Sequence, residues 1–167
     1  MPHTLRPVHD GDLELLYRIY ASTRAEELAV APWTAEEKEA FLRMQFQAQH
    51  RYYAEHYREG SFDVVLVDDE PAGRLYVYRT TREIRIVDIA LLPEFRGRGL
   101  GERMLRDLFA EADRAGKIVS IHVEHQNPAR RLYDRLGFVA VEDGEEHPVY
   151  IRMDRPPAAP PATATLS

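Results

Sequence analysis

The spacing of hydrophobic residues changes along the chain, and each change marks a different kind of element. Apolar residues recur every three or four positions in residues 13–28 and again in residues 34–60, which predicts two amphipathic helices. Thr34 and Glu37 have the spacing of a capping box, so we expect the second helix to begin there. From Ser61 the period becomes two, which indicates strands.

The predicted elements follow the order βααβββαβαββ. A short strand at residues 4–8 precedes the two helices, and further helices are predicted at residues 100–115 and 127–137. The remaining strands are predicted at residues 62–67, 74–78, 84–92, 118–124, 138–141 and 148–153, with turns at residues 68–73 and 142–146. Because a helix joins the strand at 84–92 to the strand at 118–124, these two are expected to be parallel. The pattern predicts an α/β (α+β) fold with a mixed central sheet flanked by helices.

The composition fits one soluble domain. The chain has 167 residues, 44% of them hydrophobic, and residues 155–167 are rich in Pro, Ala and Thr, so we expect a domain at residues 1–154 followed by a disordered tail. The absence of cysteine excludes disulfides, thiolate zinc sites and a cysteine nucleophile, and the histidine spacing predicts no metal site. A net charge of −6 argues against nucleic acid as a partner. Neither a membrane-spanning run nor a signal peptide is visible, so a cytoplasmic protein without a membrane partner is expected.

A glycine-rich turn follows the predicted central strand. Arg96-Gly97-Arg98-Gly99-Leu100-Gly101 has three glycines within five residues, directly before the helix that begins at Leu100. Glycine permits positive φ and lets a ligand approach main-chain N–H groups, while the first turn of a helix offers unpaired N–H groups and a positive dipole end. Arg96 and Arg98 add positive charge. The turn therefore predicts a site for phosphate or pyrophosphate.

The same turn carries a family resemblance. Its Gly-x-Gly-x-Gly spacing is neither that of the Walker loop nor that of the dinucleotide fingerprint. It resembles the acetyl-CoA signature of the GCN5-related N-acetyltransferase (GNAT) superfamily, Arg/Gln-x-x-Gly-x-Gly/Ala. Residues 127–138 are similar to the family's Asn-x-x-Ala-x-x-Leu-Tyr-x-x-Leu-Gly-Phe segment, although Asn127 lies one residue nearer Tyr133 than in the common spacing. Two motifs in the family's order make the resemblance strong.

The resemblance implies acetyl-CoA as a co-substrate. In the family, the two central parallel strands splay apart and the pantetheine arm lies between them, held by main-chain groups that correspond to residues 89–91. The glycine turn and the start of the next helix hold the pyrophosphate. The cofactor-binding residues implied are Ile89, Ala90, Leu91, Arg96, Gly97, Arg98, Gly99, Leu100, Gly101, Glu102 and Asn127. Asn127 also has a purely structural interpretation, as a helix cap before Pro128.

The resemblance implies that Tyr133 is the general acid. A phenol has a reference pKa of about 10, so it is protonated at neutral pH and can donate its proton to a departing thiolate. The alternative interpretation is that Tyr133 is one more aromatic residue of the core.

The general base has several candidates. Strand alternation puts His122 and Glu124 on the face opposite Ile121 and Val123. Some members of the superfamily carry an acid near this place, and His122, whose imidazole suits deprotonation of an ammonium through water, lies nearest to it. Asp88 is another candidate, since an unpaired carboxylate on a largely apolar strand is costly, but we favour a role as a structural hydrogen-bond acceptor.

The function implied is an acetyl-CoA-dependent N-acetyltransferase in which a primary amine attacks the thioester directly. The alternatives are transfer of a longer acyl group, a peptide or protein acceptor, and a non-catalytic acyl-CoA sensor. In the family the first two helices border the acceptor site, which makes Trp33, Gln45, Gln49 and Tyr52 candidate contacts. A homodimer formed through the edge of the strand at residues 148–153 is an open alternative to a monomer.

Overall fold

The structure, a computed structural model, describes residues 2–142 and 149–158. Its helices and strands follow the predicted order. They are β1 (Thr4–Pro7), α1 (Leu13–Ala29), α2 (Ala35–His56), β2 (Ser61–Val67), β3 (Glu70–Arg79), β4 (Glu83–Leu91), α3 (Leu100–Ala115), β5 (Ile118–Glu124), α4 (Arg130–Arg135), β6 (Val139–Val141) and β7 (Tyr150–Arg155). Within the described residues, no helix is both long enough and apolar enough to cross a membrane.

The seven strands form a mixed sheet in the order β1-β2-β3-β4-β5-β7-β6. β4 and β5 are parallel, as predicted, and their ladder runs from Glu83 opposite Ile118 to Ile86 opposite Ile121. β2 is antiparallel to both β1 and β3, and β7 is antiparallel to both β5 and β6. The predicted α/β (α+β) fold, a mixed central sheet flanked by helices, is confirmed.

The chain divides into two compact units. One comprises Met1–Tyr78 and Asp88–Gly101, and the other comprises Arg79–Val87 and Glu102–Ser167. In the first unit, Phe46 of α2 packs against two tyrosine rings of α1, with ring centroids 5.8 and 6.0 Å apart. In the second, the ring of Phe138 lies 5.6 Å from Phe109 of α3. Both units contain buried apolar side chains. The predicted extent of the domain, residues 1–154, stays a prediction.

Polar side chains cap the start of α2 and the turn that precedes α1. The Thr34 hydroxyl accepts a hydrogen bond from the Glu37 N–H at 3.1 Å, and the Glu37 carboxylate accepts one from the Thr34 N–H at 3.1 Å. This is the predicted capping box. Before α1, the Asp12 carboxylate accepts the His9 N–H at 2.9 Å and both terminal nitrogens of Arg6 at 2.8 and 2.9 Å. The Arg6 hydrogen bonds lower the pKa of Asp12 to about 2.

The predicted turn at residues 68–73 is wrong in extent. Only Asp68 and Asp69 form the connection, both with positive φ (52° and 63°), and β3 already begins at Glu70. Pro71, which suggested a turn, lies inside β3, where Leu66 is opposite Pro71 while Val65 is opposite Gly73. A proline lacks the N–H that a regular ladder requires, and this bulge accommodates it.

The last helix is shorter than predicted. We expected it at residues 127–137, but α4 spans only Arg130–Arg135. The Asn127 side-chain oxygen accepts a hydrogen bond from the Ala129 N–H at 2.9 Å, which forms a turn ahead of the helix. Asparagine side chains commonly stabilise such turns by this local bond. Asn127 therefore has a capping-type role, one turn earlier than a helix start.

The C-terminal strands correct one expectation about assembly. We expected the strand at residues 148–153 to expose an edge, but β7 pairs with β5 on one side and with β6 on the other. β6 covers this edge opposite residues 152–154, so β7 is not the open edge strand that we expected, and the homodimer itself stays a prediction. Arg155, where the predicted tail begins, is the final residue of β7. Most of the acidic loop predicted at residues 142–146, and residues 159–167 of the predicted tail, lie outside the described residues.

Candidate functional site

The glycine turn between β4 and α3 has an open main chain. Gly97 and Gly99 have φ of 74° and 77°, a conformation that side chains rarely adopt, whereas Gly101 lies in the first turn of α3 without positive φ. A Cβ added at any of the three would meet no atom within 4 Å. Because α3 begins at Leu100, its first N–H groups have no partner within the helix. The turn therefore offers a ligand main-chain N–H groups and the positive end of a helix dipole.

The two arginines of the turn behave differently. The Arg96 guanidinium donates from Nε to the Leu91 carbonyl at 2.9 Å and from Nη2 to the Ser22 hydroxyl at 3.3 Å. These bonds join the turn to the end of β4 and to α1. Arg98 is exposed, and its guanidinium lies 5.7 Å from the ring centroid of Phe95. Arg98 thus lies beside the turn next to Phe95, whereas Arg96 is tied to Leu91 and Ser22.

Residues 89–91 of β4 lie beyond the ladder with β5, which ends at Ile86. The Ala90 carbonyl is turned toward Gly73 of β3, and the Leu91 carbonyl accepts the bond from Arg96. All three side chains are half-buried. Ala90 and Leu91, two of the three residues predicted to hold a pantetheine arm, therefore have main-chain carbonyls that contact other residues of the first unit.

Glu102 at the start of α3 is held by two arginines. Its carboxylate accepts hydrogen bonds from Arg135 at 2.7 Å and from Arg106 at 3.0 Å. The bond from Arg135, then that from Arg106, lowers the pKa of Glu102. The Glu102 side chain thus joins α3 to α4. The group of Glu102 that suits a cofactor is therefore its main-chain N–H rather than its carboxylate.

The predicted acid and the predicted base both lie in the second unit. Tyr133 on α4 is 5% exposed, and its ring makes an edge contact with Phe138 at 5.6 Å. His122 on β5 is exposed and stands opposite Arg152 of β7, while Ile121 and Val123 are buried, as the predicted alternation requires. Tyr133 thus packs in the core of the second unit, and in the sequence it occupies the general-acid position of the family motif.

Asp88, the alternative base, belongs to a buried ion pair in the first unit. Its Oδ2 accepts hydrogen bonds from Arg74 at 2.8 Å and from the Tyr53 hydroxyl at 3.0 Å, and Arg74 also donates to the Gln49 side chain at 2.8 Å. Burial is the largest single influence and lowers the pKa of Arg74, but the Asp88 charge and hydrogen bond together with Tyr76 and Tyr53 raise it overall. These contacts match our interpretation of Asp88 as a structural acceptor.

Sequence reasoning did not single out Arg74 or Tyr53. One signal was available, because alternation on β3 puts Arg74 on the same face as Tyr76 within an otherwise apolar strand. A buried charge of this kind needs a partner of opposite sign. Arg74 and Asp88 are 14 positions apart in the sequence, so no local pattern pairs them.

The four candidate acceptor contacts have distinct environments. Trp33 is 41% exposed and meets Phe41 at 5.2 Å, and Tyr52 is 51% exposed and stacks on His56 at 3.9 Å. Gln45 is exposed, whereas the Gln49 side chain is engaged by Arg74. Trp33 ahead of α2 and Tyr52 within α2 are thus the exposed aromatic residues among the four candidates.

A mixed sheet whose central strand leads through an open glycine turn into a helix is the arrangement that the two sequence motifs predicted. The chain belongs to the Acetyltransferase (GNAT) family, whose model matches residues 17–138. It is an N-acetyltransferase that transfers an acetyl group to an amine.

Individual relatives agree with this assignment. The chain is 27% identical over 129 residues to a Bacillus subtilis (strain 168) protein whose provisional name is ribosomal protein bS18 alanine N-acetyltransferase, covering 75% of this chain and 74% of that protein. The fold of this chain matches that of the PaiA N-acetyltransferase of Thermoplasma acidophilum in complex with coenzyme A. The TM-score is 0.68, the identity is 17%, and the match covers 93% of this chain and 99% of that one. The fold also matches that of the ribosomal-protein-S18-alanine N-acetyltransferase of Escherichia coli, with a TM-score of 0.62, 18% identity and 96% and 97% covered.

Proposed function

We propose that this N-acetyltransferase uses acetyl-CoA as its donor and a primary amine as its acceptor, and that the amine attacks the thioester directly. The observation that carries the proposal is the open glycine turn, where Gly97 and Gly99 expose main-chain N–H groups at the start of α3. Pyrophosphate matches such a site in charge and in its need for several N–H donors. Arg98 adds a cation beside it.

The residues of the chain have distinct tasks in this reaction. When bound, acetyl-CoA supplies an activated carbonyl and a thiolate leaving group. The glycine turn holds the pyrophosphate, and the main chain at residues 89–91 orients the pantetheine arm. As the new carbon–nitrogen bond forms and the carbon–sulfur bond breaks, the Tyr133 phenol donates its proton to the departing sulfur. The proton that the attacking nitrogen loses on becoming an amide passes to solvent, from which Tyr133 is reprotonated.

His122 is the proposed proton acceptor for the incoming ammonium. It lies on the exposed face of β5, and a neutral imidazole is a suitable proton acceptor for an ammonium. A bridging water carries the proton. Glu124, on the same face of β5, is the alternative, whereas Asp88 is occupied by Arg74 and Tyr53.

A second candidate acceptor is the N-terminal amine of a protein. It is favoured by the names of two relatives, which describe alanine N-acetyltransferases of a ribosomal protein. An α-amine has a lower pKa than a lysine amine, so a larger fraction is neutral and reactive at neutral pH.

Cytoplasmic location and the absence of nucleic-acid and membrane partners stay expectations from composition.

The test is release of free thiol from acetyl-CoA, followed with a thiol reagent. The acceptors are a panel of small primary amines and a short peptide that begins with alanine, and propionyl- and succinyl-CoA replace the donor in parallel. Release that depends on the acceptor supports the proposal. A protein that binds acetyl-CoA but releases no thiol with any acceptor is a sensor, and the proposal is then wrong.

The variant Tyr133→Phe tests the assigned acid. We expect the turnover number to fall about 100-fold or more, the usual contribution of a general acid, while acetyl-CoA affinity is unchanged. Tyr57→Phe is the control, because Tyr57 also lies in a cluster of rings, 5.3 Å from Tyr78, but in the first unit at the end of α2. Full turnover in Tyr133→Phe at every pH would remove the phenol from the mechanism.

A further inference from the structure

β3 is irregular at Ala72 and Gly73. Across the ladder with β2, Val65 is opposite Gly73 while Leu66 is opposite Pro71, so Ala72 is the extra residue of a bulge. A bulge leaves one residue unpaired and twists the strand locally. The main chain of β3 therefore departs from a regular strand at the point where Gly73 lies.

On the side of β3 that faces β4, the two main chains approach each other too closely for any side chain at residue 73. A Cβ built on Gly73 would overlap the Ala90 carbonyl oxygen and would lie 3.0 Å from both Cα and Cδ2 of Leu91. Two of these three atoms belong to the main chain and cannot rotate away. Any larger residue at this position must push β4 outward.

The close approach is held by hydrogen bonds on both sides. The Leu92 N–H donates to the Ala72 carbonyl at 2.8 Å, which fixes β4 to β3 one residue beyond the contact. The Arg96 side chain donates to the Leu91 carbonyl at 2.9 Å. The main chain of residues 90–92 is therefore confined between the bulged strand and the glycine turn.

We infer that Gly73 is a positioning residue for the donor. By having no side chain, it allows the main chain of residues 89–91 to take the position in which this segment holds the pantetheine arm. This inference rests on the proposed function. It also separates two parts of the proposed donor site, because the glycine turn is assigned to the nucleotide end, whereas Gly73 lies against the main chain of residues 90 and 91. Displacement of reacting groups by about 1 Å can cost about 100-fold in rate.

The test compares two ligands on two variants by titration calorimetry. CoA carries the pantetheine arm, whereas 3′-phosphoadenosine 5′-diphosphate is its nucleotide part alone. We expect Gly73→Ala to weaken CoA binding about tenfold or more, and to leave the affinity for the nucleotide within about twofold. Gly60→Ala is the matched control, because a Cβ there also lies 3.0 Å from a main-chain atom, the Tyr57 carbonyl oxygen, but away from β4. It should change neither affinity.

The outcomes separate this inference from the proposed function. If the unmodified protein binds neither ligand, the proposed function fails. If it binds both, and Gly73→Ala either retains full CoA affinity or weakens both ligands equally, the positioning role is wrong. Hydrogen exchange on the unmodified protein tests the same point if Gly73→Ala does not fold. CoA, but not the nucleotide alone, should then protect amides in residues 89–91 and 72–74, and equal protection by both ligands would contradict the inference.

Discussion

Breaking the buried ion pair between Arg74 and Asp88 should destabilise the protein strongly. Arg74 is 3% exposed and Asp88 13%, and the two side chains are 2.8 Å apart. The variant Asp88→Asn keeps the shape of the side chain but leaves the Arg74 charge without a counter-ion, with only neutral amide acceptors at positions 88 and 49. The Arg74 Nε is already buried without a hydrogen-bond partner among the described residues, so the guanidinium has little capacity to compensate.

Leaving one charge of a buried pair uncompensated typically costs about 3–5 kcal/mol of unfolding free energy. We expect Asp88→Asn to fall in this range. Arg74→Met should cost about 3 kcal/mol, because Asp88 keeps its bond from Tyr53 and some contact with solvent. The double variant should lose less than the sum of the two, with a coupling free energy of about 2 kcal/mol.

Urea unfolding followed by circular dichroism measures these losses. With a urea dependence of about 2 kcal/mol per molar, a loss of 4 kcal/mol lowers the midpoint by about 2 M. Glu14→Gln is the control, because it removes an exposed ion pair with Arg43 at 2.6 Å, where solvent screens the charges, and should barely move the midpoint. Single variants that lose no more than this control, or strictly additive losses, would refute the reasoning.

Two further predictions concern local stability. Because the Arg6 bonds lower the pKa of Asp12 from 3.8 to about 2, this pair contributes at most about 2 kcal/mol of unfolding free energy above pH 4, and the contribution is lost as the pH falls toward 2. Unfolding measured from pH 5 to 2 should show a shallower slope in Asp12→Asn, and an identical slope would contradict the assignment. In the β2–β3 connection, Asp68 and Asp69 both have positive φ, which Asn-Gly adopts most readily. The double substitution Asp68→Asn, Asp69→Gly should raise the thermal midpoint by about 2 °C, whereas Asp69→Val should lower it, and a rise with valine would be inconsistent with the observed turn.

Local patterns predicted the elements whose boundaries depend on local chemistry. α3 and β5 begin and end at the predicted residues, because Gly116, with φ of 66°, stops the helix and the apolar period changes immediately after it. The start of α2 followed from the Thr34 and Glu37 side chains alone. The glycine turn could likewise be predicted, since its motif lies within six consecutive residues, 96–101.

Contacts between distant residues decided the features that were missed. Pro71 and Gly73 have the composition of a turn, yet they lie in a strand because of a bulge with β2 and a close approach by β4. Arg96 carries the motif charge, but its side chain reaches Ser22, 74 residues away. No local pattern contains such partners, so the direction of these side chains could not be predicted.

Direct titration of acetyl-CoA into the unmodified protein and into the double variant Gly99→Asp, Gly101→Asp tests the central claim. A Cβ at either position meets open space, and aspartate tolerates the positive φ of Gly99 better than most residues, so the variant should fold while its charges repel pyrophosphate. Gly116→Asp, also at positive φ and in open space, is the matched control at the other end of α3. We predict micromolar-range binding in the unmodified protein and in Gly116→Asp, and loss of binding in the double variant. Absence of binding to the unmodified protein, or equal binding to all three, would contradict the account.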